Sequence, residues 1–133
     1  MLSDLASRLL AIPKLDSAPL RSQLDGYRNR LARLGRHNFE VARKLRRRIL
    51  EIEADLLGTH SNDQWYALLE ACGNRCVDCG CQPDALTLDH IQAISLGGSN
   101  CISNAQPMCR ECNSSNKLDH SDLRPEWVRG LFQ

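Results

Sequence analysis

The chain has 133 residues, a net charge of +1 and 25% charged residues, which bound it to one small domain with room for an appendage. The neutral total hides an asymmetry: residues 1–58 carry 12 Lys/Arg against 7 Asp/Glu, a net +5, and residues 59–133 carry 5 against 9, a net −4. The basic half can meet polyanions, the acidic half needs cations or the other half to do so, and no stretch approaches the ~18 uninterrupted apolar residues of a membrane span.

Residues 1–12 have the spacing of a short amphipathic helix that Pro13 stops. Asp4 and Arg8 interrupt its apolar run, so no secretory signal is expected. "PKLDSAP", residues 13–19, reads as a linker or turn. Leu20, Leu24, Tyr27, Leu31 and Leu34 then recur at intervals of 4, 3, 4 and 3, one apolar stripe on a helix. Gly35 stands where a helix stop belongs, and Asn38 where a new cap belongs. Ala42, Leu45, Ile49, Ile52 and Leu56 repeat the spacing until Gly58. The pattern predicts a helical hairpin turning at "GRHN"; one long bent helix is the alternative, because a single glycine does not force a break. Neither helix can bury its stripe alone, so the stripes pack on each other, on the second half or on another copy. A homodimer through these helices would use the same spacing. Residues 1–58 therefore read as a helical arm, DNA-binding or dimerising, and 59–133 as a second domain.

Within the arm, Arg43, Lys44, Arg46, Arg47 and Arg48 crowd one segment. Long basic side chains often do no more than coat a solvated helix face. Here Arg28, Arg30, Arg33 and Arg36 add to them and the other half is acidic, so contacts with a nucleic-acid backbone are favoured, giving affinity without sequence choice.

The second domain opens with "SNDQWYALLEACG", a capping residue followed by an apolar helix of roughly three turns. Then come "CVDCGC", a β-prone "ALTLDHIQAI", a turn-rich "SLGGSN" and "CISNAQPMCRECNSSNK", where a helix starts near Met108 or Arg110. "RPEWVRGLFQ" closes as a short helix with Trp127 and Phe132 docked on the domain. The expected class is α+β.

Seven cysteines, an odd number, with no leader point to a reducing, cytoplasmic setting in which clustered thiols mean metal rather than disulfides. Cys76-x2-Cys79 and Cys109-x2-Cys112 have the two-residue spacers that let both thiolates of a pair reach one tetrahedral zinc, and Gly80 permits the tight turn between them. Cys81 is a rival of Cys79; Cys72 and Cys101 read as ordinary small residues. Four cysteines close the coordination sphere, so such a zinc is structural. It leaves the adjacent Asp89 and His90 unexplained. If Cys112 is helical, Asn113 is turned about 100° from it, toward the hairpin that carries Asp89 and His90, and Lys117 follows on the same face. Hard oxygen ligands there suit Mg²⁺ or Mn²⁺. Neighbours on a straight strand point to opposite faces, so the strand is expected to end or bend at Asp89.

"CVDC", "LDHI", "LGGSN", "SNAQPMCREC" and "CNSSNK" occur in the order that resembles an HNH endonuclease, the ββα-metal nucleases with an accessory zinc knuckle, over residues 72–118. The resemblance implies His90 as the general base and Asp89 as a ligand of one catalytic divalent metal. It implies Asn104 as the brace of the loop between strands and Asn113 as a second metal ligand, with Asn116 as its rival. Lys117 matches a frequent basic position in the helix. The set is an H-N-N form, with Asn113 where many members have histidine. The activity implied is hydrolysis of DNA; a zinc-stabilised binding or interaction module without catalysis is the alternative.

Overall fold

The structure is a computed structural model that describes residues 2–115 and 121–133. Helices α1 (Leu2–Leu10), α2 (Ser17–Arg33), α3 (Phe39–Leu57) and α4 (Asn62–Ala71) precede strands β1 (Thr87–His90) and β2 (Ala105–Met108), and helices α5 (Arg110–Ser115) and α6 (Glu126–Leu131) follow. The fold is α+β, N-terminal helices leading into a small antiparallel hairpin with a helix behind it. Among the described residues no helix is long and apolar enough to cross a membrane.

The arm is a helical hairpin, not one bent helix. α2 begins at Ser17, three residues earlier than the apolar stripe, because Asp16 caps it through a bond from Ala18 N (3.2 Å) and Pro19 falls in the first turn, where a missing N–H removes no helical bond. The two stripes face each other: Leu24, Ile49 and Ile52 are buried, with Leu20, Tyr27, Leu31 and Leu56 around them. The side chains a coiled-coil dimer would use are thus covered within the chain.

α1 has a different allegiance. Leu5 and Leu9 share a core with Ala67 and Leu68 of α4, Ile102, Ala105 of β2 and Val128 of α6, on the far side of the boundary drawn from sequence at residue 58. Buried Gln64 joins the two helices. Its backbone and side chain form a capping box with Ser61, and its Nε2 donates to the carbonyls of Leu9 (3.1 Å) and Ala11 (2.7 Å) at the open end of α1.

The β-prone run of ten residues yields only four in β1, with Asp89 opposite Gln106 and His90 opposite Ala105. β1 does not end at Asp89, where the sequence calls for an end or a bend, but runs one residue further, through His90. Ile91 N still bonds Asn104 O (2.9 Å), and the chain bends at Ile91 and Gln92 before a 3-10 turn at Ile94–Leu96. The return passes Gly98, where a side chain would collide with the carbonyl of Gln92, so that turn tolerates no Cβ.

Replacing Gln64 by alanine removes the side-chain half of the capping box, the bond from Ser61 N, and orphans two carbonyls beneath α1. Urea unfolding should show a loss of about 2–4 kcal/mol, against under ~1 kcal/mol for an exposed helix substitution such as Gln23→Ala.

Candidate functional site

Cys76, Cys79, Cys109 and Cys112 place their sulfurs within 4.8 Å of one another. A tetrahedron with zinc–sulfur bonds of ~2.3 Å has edges of roughly 3.8 Å, and Cys79 Sγ lies 3.8 Å from Cys109 Sγ. The backbone prepares the cluster: Gly80, at φ +80°, turns the first pair back so that its N–H reaches Cys76 O (2.9 Å), and Cys76 N reaches Cys81 O (2.9 Å). From the second pair, Cys112 N donates to Cys109 Sγ (3.4 Å). Burial opposes ionisation of Cys76, but the N–H groups of Cys79, Cys109 and Asp78 around its sulfur bring its pKa down to about 6. Cys79 is also lowered, first by the N–H of Cys81. Cys81 itself, outside the group of four, is pushed up to about 12, chiefly by its contact with the Cys79 sulfur. Cys72 is raised to about 12 by burial, the behaviour of an inert core thiol. Four convergent sulfurs are positioned to bind a metal ion, and the all-sulfur donor set suits a structural zinc with no open position.

Behind this knuckle, β1 sorts the remaining residues by face. Thr87 and Asp89 point one way, Leu88 and His90 the other. Asp89 is buried, and its Oδ2 accepts from Gln106 Nε2 (2.9 Å). Gln106 also donates to Ser121 O (3.1 Å) and accepts from Leu123 N (2.9 Å), so it ties Asp89 to the segment before α6. Asn113, carried by α5, donates from Nδ2 to Thr87 Oγ1 (2.9 Å) and Leu88 O (3.3 Å), which seats it against the start of β1 on the Thr87–Asp89 side. His90 lies across the strand from both. Asn104 accepts from Gln92 N (2.8 Å) and donates to the carbonyls of Gln92 (3.0 Å) and Ser99 (2.8 Å), closing the two ends of the loop between the strands on each other. Lys117 and Asn116 lie outside the described residues.

Nothing in the sequence singles out Asn100, yet every polar group it has is engaged. Its backbone N–H donates to Ala54 O (3.3 Å), and its carbonyl accepts from His60 Nδ1 (2.8 Å). Its Nδ2 donates to Asp55 Oδ1 (2.8 Å), and its Oδ1 pairs with His90 Nε2 (3.0 Å). Asp55 belongs to α3, and His60 follows shortly after that helix. The arm thus reaches the face of β1 that carries His90. The one sequence signal is that Asn100 sits in "LGGSN" beside the motif; nothing local points to a partner 45 residues upstream.

The basic residues of α3 are exposed or half-exposed, and several hold acidic neighbours: Arg43 bonds Glu40 (2.9 Å), while Arg47 (3.5 Å) and Arg48 (3.2 Å) share Glu51. Arg46 and Lys44 are exposed.

Compared with known families, residues 70–118 match the HNH endonuclease family model. That segment contains both cysteine pairs, both strands and α5, so the match to the HNH family takes in the hairpin, the helix behind it and the four-cysteine cluster. No curated protein and no solved structure matches the chain.

If the cluster holds zinc, purified protein should carry one equivalent by metal analysis. A strong chelator or Cys109→Ser should then abolish the cooperative melting of the hairpin and the core packed on it, because metal binding and folding are one equilibrium in such a site. A chelated protein that keeps its full melting transition would rule out a structural metal.

Proposed function

We propose that the chain is a metal-dependent endonuclease that hydrolyses DNA phosphodiester bonds. The observation that carries this is the HNH match over residues 70–118, which spans β1 with Asp89 and His90 and α5 with Asn113. The commitment of Asn113 Nδ2 to Thr87 and Leu88 supports it, because that bonding leaves the amide oxygen as the atom to offer a hard cation. Asp89, on the same strand face, is the second ligand. A Mg²⁺ or Mn²⁺ ion bound by these two would supply charge stabilisation at the scissile phosphate and the leaving 3′-oxygen.

His90, in neutral form, accepts a proton from water as the water oxygen attacks phosphorus in line. The bond to the 3′-oxygen breaks, that oxygen takes a proton from solvent, and the products are a 5′-phosphate and a 3′-hydroxyl. Asn104 keeps the loop after His90 closed. The opposite facing of Asp89 and His90 is compatible with this chemistry because β1 pairs only with β2 among the described residues. A phosphate lying across the unpaired edge of β1 meets side chains from both faces. Lys117 and the α3 residues Arg43, Lys44, Arg46, Arg47 and Arg48 contact the backbone; surface ion pairs such as Arg43–Glu40 are weak enough to yield to phosphates.

A non-catalytic zinc-stabilised binding module is the second reading, favoured by that same division of Asp89 and His90 between two faces. Supercoiled plasmid separates the two. Nicking is expected with Mg²⁺ or Mn²⁺ and not with EDTA added briefly, with His90→Ala lowering kcat by roughly 10²–10⁴-fold and Asn113→Ala raising the metal concentration required. Absence of nicks with every divalent ion would favour the binder.

Replacing Arg46, Arg47 and Arg48 together by alanine should weaken DNA binding and flatten its logarithmic salt dependence by about 0.9 for each phosphate these arginines neutralise. An unchanged salt slope would place these side chains off the DNA path.

A further inference from the structure

The bonding around Asn100 decides where the His90 proton sits. The Asp55 carboxylate can only accept, so the Asn100 group facing it at 2.8 Å is the NH₂. The amide is then oriented, and what it turns toward His90 Nε2 at 3.0 Å is its oxygen, another pure acceptor. Neutral His90 must therefore carry its proton on Nε2, which leaves the lone pair on Nδ1. Neither the histidine nor the asparagine could fix this alone. An amide can rotate to offer either end, and an imidazole can place its proton on either nitrogen. The carboxylate at the far end removes both freedoms.

Asn100 is in turn held by its backbone, through Ala54 O and the His60 ring. His60 bonds a carbonyl, so its Nδ1 is the donor and its own tautomer is settled as well. The backbone of Thr59 also pairs with that of Asn100. These four partners of Asn100 (Ala54, Asp55, Thr59 and His60) come from the end of α3 and the residues after it, outside the segment 70–118 that matches the HNH family.

We propose that Asp55 and Asn100 are positioning residues for His90: through the Asp55–Asn100–His90 chain, the arm holds the imidazole in the Nε2–H tautomer and presents Nδ1 to water. This rests on His90 being the general base of the nuclease described above. A base with its proton on the wrong nitrogen cannot accept another there, so loss of the relay acts on the chemical step and not on DNA binding.

The test uses the full zinc-loaded chain. Long-range proton–nitrogen NMR correlations of the His90 ring give the tautomer without DNA. The expected result is Nε2–H in the native protein. Asp55→Asn lets the Asn100 amide turn either way. It should convert His90 to a mixture of tautomers and lower kcat for plasmid nicking by at least about tenfold with KM unchanged. The exchanged pair, Asp55→Asn with Asn100→Asp, restores a donor at position 55 and an acceptor toward His90, and should recover both the Nε2–H spectrum and most of kcat. A merely structural role would lower the melting temperature and would not respond to the exchange. A native His90 protonated on Nδ1, or an Asp55→Asn protein with unaltered ring spectrum, overturns the relay. Native protein that never nicks DNA removes the nuclease function, while the ring spectrum still decides the relay.

Discussion

The convergence of four sulfurs is the constraint on which the second half of the molecule depends. Between Cys72 and Leu86 the chain has no helix or strand, and the sheet it leads to consists of two strands of four residues. Such a hairpin is marginal in water by itself. α5 has six residues, far below the length at which a helix persists alone. The cysteine cluster joins these pieces: one pair comes from the irregular segment, and the other lies at the junction of β2 and α5. Cys76, Cys109 and Met108 form a small core of their own, with Leu86 and Val77 against it. The position of Asn113 follows, since it is the residue after Cys112 on a helix too short to choose its own direction.

The larger hydrophobic core lies away from the cluster, and the chain builds most of it from residues outside the HNH segment. The face of the hairpin opposite the knuckle rests on α4, α1 and α6, so residues from both termini close over Ala105 and Ile102. Arg124 completes this side. It is buried, held bidentately by Asp122 (2.9 and 2.7 Å), bonded to the carbonyls of Ile102 and Ala105, and lies 5.1 Å from the centroid of the Phe132 ring. Burial works against the Asp122 charge, but the guanidinium fork outweighs it and holds the carboxyl below its ordinary range. An ion pair between a buried guanidinium and a half-buried carboxylate contributes direction more than stability, because desolvation of the Arg124 charge offsets much of the attraction. It fixes where the chain turns from Ser121 into α6, and so where Gln106 finds the carbonyl and amide groups that anchor it beside Asp89.

The local parts of this architecture are legible in the sequence. Apolar spacing locates α2 and α3, a capping residue before an apolar run marks the start of α4, and paired cysteines with two-residue spacers mark the cluster, since each of these signals is carried by residues a few positions apart. What escapes is set by distance along the chain. Gln64 reads as a helix-start residue, yet it also closes α1 at a separation of 55 residues. Asp55 reads as a polar position on a charged helix, yet its partner is Asn100. Gln106 is marked by no sequence signal, yet it is almost fully buried because Asp89 and the 121–123 backbone satisfy its amide. Single polar residues carry no periodicity, so no pattern reveals which of them will meet. The end or bend expected at Asp89 comes later, after His90, for the same reason. The bond that carries the strand one residue further comes from Asn104, across the whole loop from Ile91.

α3 then has two tasks on one face. At 3.6 residues per turn, Lys44, Arg48, Glu51 and Asp55 fall at i, i+4, i+7 and i+11, a single stripe along the helix. Its lower end holds Asn100 against His90, and its upper end presents cations, with Arg48 roughly 10 Å and Lys44 roughly 16 Å from Asp55 along the axis. Glu51 lies between and engages Arg48, so the stripe passes from positive to negative toward the hairpin. On the nuclease reading, a phosphate backbone held at the cationic end is repelled from the helix at Glu51 and Asp55 and is directed off it, toward the edge of β1. On that same reading the net +5 of the first half is not spread evenly: α3 runs from cations, where the substrate would be gripped, to the carboxylate that holds Asn100 against His90.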